Sequence, residues 1–328
     1  MDFSTQLDDL QQRATDAKTA DQAIGTATRE RGGRQWLRVL VVGLLLWVAS
    51  VAVTFATGNI NLVPTVILLG SFLVPVAFAT YAFGRADQVV TTQRIFAAFV
   101  SGGVLGVLGA SVLEAAFLTR PAVFTYLGVG LVEEAVKLAA LWLLARRLPR
   151  YSMRDGIVLG AAVGLGFAAL ESAGYAFNAL FTQDGGLSLV NLVETEVLRG
   201  LLTPVGHGLW TAILGGVLFA TAAEGGRLRL SGALVGWYVV VAGLHALWDA
   251  ARPVAVWLTL VLTGTPVQWV LIRMGRVPQP TQAQVHTFTT LTWGLLLVDA
   301  VVGVALLRGR WRQALALEHA QPTSRPIP

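Results

Sequence analysis

The sequence contains no cysteine, and only two of its 328 residues are lysine, Lys18 and Lys137. Without cysteine, a disulfide framework, a thiolate metal site and a cysteine nucleophile are all excluded. Charge is scarce: 13% of residues are Asp, Glu, Lys or Arg, against about 25% in a soluble domain. Strand-like alternation of polar and apolar residues is also missing. Helices are then the means of satisfying backbone hydrogen bonds inside a bilayer. The net charge of +5 resides mostly in arginines at the ends of apolar runs, where it anchors spans and says little about nucleic acid. No cleavable signal peptide is expected, because the first 35 residues are polar and the first apolar run is long.

What the chain does have is apolar sequence. Hydrophobic residues make up 55% of it, its mean hydropathy is +0.64, and runs long enough to cross a membrane recur. The expectation is an all-α polytopic transmembrane bundle of eight spans, with nine as the alternative. The spans are expected at 37–56, 62–83, 95–117, 122–144, 156–181, 200–222, 232–250 and 290–307, with a kink at Pro75. Residues 253–272 are apolar but interrupted by Thr263-Gly-Thr-Pro266. They are read as re-entrant or as a broken helical pair, because a ninth crossing would place Arg308, Arg310 and Arg312 outside.

Residues 1–36 read as a cytoplasmic polar segment with a short surface helix and a basic collar, Arg29, Arg31, Arg34 and Arg38. The acid-rich stretch with Asp184, Glu194 and Glu196 reads as an outside loop, and 313–328 as a disordered cytoplasmic tail. Glycines spaced as Gly102-Gly103-x2-Gly106-x2-Gly109 and Gly160-x3-Gly164-x-Gly166 suit close helix contact.

Against this background a few ionisable residues stand out. Leu127–Leu144 is apolar enough to span, yet it carries Glu133, Glu134 and Lys137 near its middle. A charge at the bilayer centre costs about 2.5–3.5 kcal/mol on insertion scales, so three in five residues imply a purpose. Glu133 and Lys137 are i, i+4 in the favourable acid-first order. Glu134 points about 100° away and is aimed at a neighbouring helix. The remaining in-span polar residues are Glu114, Glu171, His207, His245, Asp249 and Asp299. At ~1.5 Å per residue, Glu134, Glu171 and His245 lie ~15, ~22 and ~20 Å from the cytoplasmic face, and His207 ~11 Å from the outer face. One polar pocket among four helices is therefore permitted.

Three chemistries suit such a pocket. A carboxylate in apolar surroundings can activate water while an imidazole stabilises an oxyanion. Two histidines and a glutamate can hold zinc. A line of acids and histidines can relay protons in a transporter. Each residue also has an ordinary structural reading, as an ion pair between helices or a hydrogen-bonded packing histidine. The set taken together disfavours that reading. A non-catalytic membrane scaffold is the third class of function.

Glu133-Glu134-Ala-Val-Lys137 resembles the Glu-Glu-x-x-Lys motif of PrsW-type intramembrane proteases, and Phe167-Ala-Ala-Leu-Glu171 resembles their Phe-x-x-x-Glu motif. His207 follows in the family's order, and His245-x3-Asp249 is similar to its last motif. The resemblance covers about 120–250, which becomes a protease-like core within a membrane domain of 37–312. It implies a membrane endopeptidase related to the CAAX prenyl endopeptidases and abortive-infection membrane proteins. Its substrate would be a membrane-anchored protein, such as an anti-sigma factor.

On that resemblance Glu134, or failing it Glu133, is the general base, and Lys137 neutralises and orients the pair. Glu171 and His207 complete the water site. His245 and Asp249 polarise the carbonyl. A glutamate mechanism is favoured because His-Glu-x-x-His is missing. If zinc is bound, His207, His245 and Glu171 are the expected ligands.

Overall fold

A computed structural model describes residues 34–86, 89–118 and 124–320. These form ten α-helices: α1 (Gln35–Thr57), α2 (Val63–Phe83), α3 (Thr92–Phe117), α4 (Thr125–Ala145), α5 (Met153–Leu180), α6 (Leu189–Leu202), α7 (His207–Gly225), α8 (Gly232–Thr263), α9 (Pro266–Arg273) and α10 (Gln282–Ala320). The starts have local causes. The hydroxyls of Thr91, Ser152, Ser188 and Ser231 each accept an amide from the first turn of the helix that follows, which satisfies a donor the helix itself cannot. Gly58 and Gly226 end α1 and α7 in the left-handed conformation, at φ 63° and 69°, where a side chain would be strained.

Seven helical stretches are long and apolar enough to cross a membrane, with Leu189–Gly225 counted as one. α4 has 21 residues, about 32 Å at 1.5 Å each, and makes an eighth rod of that length. The chain is an all-α polytopic bundle, as expected.

At its centre α5 lies between α3 and α7 with the backbones nearly touching. A Cβ on Gly156, Gly160 or Gly164 would strike the carbonyl of Gly215, Thr211 or His207 respectively. Each step is four residues on both helices, so a stripe of hydrogens on α5 fixes the register of α7. On the other flank a Cβ on Gly166 would meet the Phe99 carbonyl, and one on Gly102 the Val163 backbone. Apolar side chains above and below these contacts, among them Leu141, Val163, Leu218 and Phe219, complete the core.

Four boundaries differ from expectation. The sixth span is broken: α6 ends at Leu202, a 3-10 turn covers Thr203–Val205, and α7 begins at His207. Most of the expected outer loop is therefore α6, which buries Leu192 and Glu196 on its inner side. Its acids had suggested a solvated loop. α8 runs past the expected end at 250 and past Pro253 to Thr263, and the break at Gly264–Thr265 falls within the expected interruption. α9 has only eight residues, about 12 Å, so the described residues contain no ninth span. α10 extends from 282 to 320, so residues 313–320, expected to be disordered, are helical. α2 continues through Pro75. The expected N-terminal surface helix, Arg29, Arg31 and residues 321–328 lie outside the described residues.

Candidate functional site

The site is assembled on α4. Gly130 lets that helix approach α8: a Cβ there would sit 2.6 Å from the Ala242 carbonyl and 3.4 Å from the His245 Cβ. One turn away Tyr238 of α8 donates its hydroxyl to the Leu131 carbonyl at 2.6 Å. This docking brings His245 beside the paired acids. Its Nδ1 lies 2.9 Å from Glu134 Oε1, and its Nε2 lies 3.5 Å from Glu133 Oε2 and 3.5 Å from Asp249 Oδ2.

Lys137 is fully buried. Its ammonium donates to Glu134 Oε1 at 2.7 Å and to Glu133 Oε2 at 3.3 Å, lies 2.8 Å from His207 Nδ1, and stands 4.2 Å from the centre of the Phe167 ring. The expected Glu133–Lys137 pair is present, but the shorter contact is to Glu134, which also reaches the neighbouring helix through His245. Burying one cation among two carboxylates is tolerable only because each partner is hydrogen-bonded.

From the other side, α5 contributes Glu171 and α7 contributes His207 as its first residue. The glycine contact at Gly164 places that residue. His207 Nε2 is 3.0 Å from Glu171 Oε2. Glu171 also accepts from the guanidinium of Arg199 on α6, whose Nε donates to Ser172 Oγ at 2.8 Å. The two imidazoles meet with ring centres 5.0 Å apart, and Trp210 stacks on His245 at 4.7 Å.

All seven residues singled out from the sequence thus converge: Glu133, Glu134, Lys137, Glu171, His207, His245 and Asp249. Their exposure is graded. Glu134 is completely buried, the Glu133 side chain is 8% exposed, and those of Glu171 and Asp249 are 20% and 29% exposed. Glu171 and Asp249 thus form the most exposed edge of the cluster.

Glu133, His207 and His245 each offer one ligand atom, all within 4.8 Å of one another. Two imidazoles and a carboxylate form a ligand set of catalytic zinc sites with an open position, so these residues fit a divalent ion. The carboxylate in that set is Glu133, in place of the expected Glu171, which faces Arg199 and the far side of His207.

Two contributors escaped the sequence reading. They are Arg199, at the end of the acid-rich stretch, and Trp210. A lone arginine between Leu198 and Gly200-Leu-Leu was the available signal for the first. Of the remaining in-span acids, Asp299 has no hydrogen bond at either carboxylate oxygen among the described residues, and neither has Glu114 at Oε1.

The sequence model of the PrsW family intramembrane metalloproteases matches residues 36–274. Protease PrsW of Halalkalibacterium halodurans is 30% identical over 146 residues, which is 44% of this chain and 61% of that protein. Protease PrsW of Geobacillus kaustophilus is 34% identical over 99 residues, 30% of this chain and 39% of that protein. The chain therefore spans less than two thirds of the length of either relative. No solved structure matches it significantly.

Proposed function

The chain belongs to the PrsW family, and on that premise we propose that it is an endopeptidase hydrolysing a peptide bond of a membrane-anchored protein within the bilayer. The observation that carries this reading is the meeting of the Glu133 carboxylate with two imidazoles from separate helices. A water in that space has a base on one side and hydrogen-bonding rings on the other.

Glu133 is the base. It is the member of the acid pair with access to the pocket, whereas Glu134 is sealed and spends Oε1 on Lys137 and His245. Exposure therefore favours the second choice of the sequence reading over the first. Glu133 takes a proton from water as the water attacks the scissile carbonyl, with the Lys137 ammonium 3.3 Å from its Oε2. His245, whose Nδ1–H goes to the Glu134 carboxylate, donates from Nε2 to the developing oxyanion in its imidazolium form, steadied also by Asp249 and the Trp210 face, and Glu133 hands the proton it took from water to the leaving amine. His207 starts α7 at the broken span, where unpaired amides and the positive end of the helix dipole also favour negative charge.

The same donor set supports a metallopeptidase reading. Glu133, His207 and His245 would hold the ion, which would supply Lewis-acid activation of water and carbonyl. Lys137 favours the reading without an ion, because its Nζ already sets a fixed positive charge among those donors.

The test compares membrane-derived peptides from cells making the wild type or Glu133→Gln. The wild type is expected to release peptides that the variant does not, with both proteins inserted equally. Unchanged cleavage in the variant would remove Glu133 as base and as ligand. Loss of activity in the purified wild type on chelation, restored by zinc, would decide for the metal. Anti-sigma factors with a single membrane anchor are one substrate class to examine among the released peptides.

A further inference from the structure

Among the described residues, grooves of comparable size separate the rods, and one differs in chemistry. It lies between α2, α5, α7 and α10, encloses about 480 Å³, and combines an apolar wall with three arginines, Arg85, Arg308 and Arg312. A groove of about 500 Å³ between α4 and α8 has no charged residue in its wall. Nor has one of about 410 Å³ between α2, α3 and α5. Hydrocarbon alone can fill those two.

The arginines are arranged for an anion. Arg308 and Arg312 are one turn apart on α10, so they share a face, with Trp311 also lining the groove. Neither pairs with a carboxylate among the described residues. Glu318, further along α10, is held by Arg154 at 2.9 Å. Arg85 is fixed by the Tyr81 ring, 3.5 Å beneath its guanidinium, and by the Tyr81 carbonyl at 3.3 Å. No acid lines the groove. Its apolar wall, including Phe78, Ala161, Leu165 and Leu209, lies on helices long enough to cross the bilayer. Arg146, Arg147 and Arg154 belong to the same end of the bundle, at the α4–α5 connection, which the positive-inside rule assigns to the cytoplasmic side.

We propose that this groove binds an anionic phospholipid, with its phosphate held by Arg85, Arg308 and Arg312 and an acyl chain along the apolar wall. One amphiphile answers both features. Guanidinium groups grip phosphate oxygens in pairs, and basic pockets between membrane helices on the cytoplasmic side suit anionic headgroups. The site is separate from the peptide-cutting pocket and does not depend on that assignment.

The full-length protein, extracted from nanodiscs of phosphatidylcholine with a minority of phosphatidylglycerol, would be weighed with its retained lipids by native mass spectrometry. Wild type should retain phosphatidylglycerol in preference to phosphatidylcholine. Arg308→Gln/Arg312→Gln should lower that retention roughly thirtyfold, on the order of 1 kcal/mol for each of the two basic residues removed. Ala161→Phe, which fills the apolar part and leaves every charge in place, should lower it as well, and keeps the test valid if the double variant fails to insert. Arg146→Gln/Arg147→Gln, outside the groove, should retain the lipid. Equal retention by all variants, equal loss with the Arg146/Arg147 pair, or no preference over phosphatidylcholine would overturn the proposal. Displacement of the lipid by a soluble acidic peptide at low concentration would give the groove to a protein partner and overturn it too.

Discussion

Lys137 Nζ lies 2.8 Å from His207 Nδ1. An ammonium can only donate, so Nδ1 accepts, and the ring proton of neutral His207 must sit on Nε2. There it is donated to Glu171 Oε2, 3.0 Å away. Arg199 donates to that same oxygen. Four side chains from four helices thus form one line of hydrogen bonds that converges on Glu171 from both ends, and each link fixes the orientation of the next.

Replacing Lys137 by Met should be among the most damaging single changes. It leaves Glu133 and Glu134 side by side in a buried site with no cation. Removing one partner of a buried charge pair costs about 3–5 kcal/mol. Thermal unfolding of the purified protein in detergent should show a large drop, and a Lys137→Met variant as stable as wild type would contradict the buried ion cluster.

The two adjacent acids should separate when each is changed to Gln. Glu133→Gln should fold normally and lose on the order of 100-fold or more in cleavage rate, the scale of general-base catalysis. Glu134→Gln should first lose stability, because the sealed side chain orients both Lys137 and His245. Cleavage rate per folded molecule, paired with a melting curve, distinguishes them. The opposite pattern would return the base to Glu134.

Arg199→Gln should leave the protein inserted and reduce cleavage by roughly tenfold, through misplacement of Glu171 and then His207. Arg199→Lys should recover only part of this. A single ammonium cannot reach Glu171 and Ser172 with the fixed fork that a guanidinium provides. Rates at saturating substrate for the three proteins check the order wild type, Lys, Gln.

The glycine register can be tested apart from chemistry. Gly160→Leu forces a side chain into the Thr211 carbonyl and should destabilise by at least about 1–3 kcal/mol, the usual cost of overpacking. Gly174→Ala lies on the same helix with nothing within 4 Å of the added carbon. It should be neutral or gain about 0.5–1 kcal/mol from helix propensity. The melting temperature should fall for Gly160→Leu and hold or rise for Gly174→Ala.

The legibility of the molecule follows the range of the forces involved. Long apolar runs, glycine spacing and helix-start hydroxyls act over a few residues, so the all-α bundle and most of its rods could be read directly. Nine in-span acids and bases could be named because each is costly in hydrocarbon, and the motif resemblance narrowed them to the seven candidates. The boundaries that went astray are those where local composition and tertiary burial disagree. Acidic α6 looked like a loop because its buried Glu196 gains its partners, Trp47 at 2.7 Å and Ser71 at 3.5 Å, from α1 and α2.

The chain by itself determined what must be hidden from lipid: the acids, imidazoles and lone in-span lysine that need partners. Only the tertiary structure decided who partners whom. It gave Lys137 its closest acid contact in Glu134, Glu133 its place beside both histidines, and Glu171 its arginine. Those assignments depend on helix rotation and on backbone approach at Gly130 and Gly164. Both are set by packing between segments far apart in sequence, which no periodicity within one segment records.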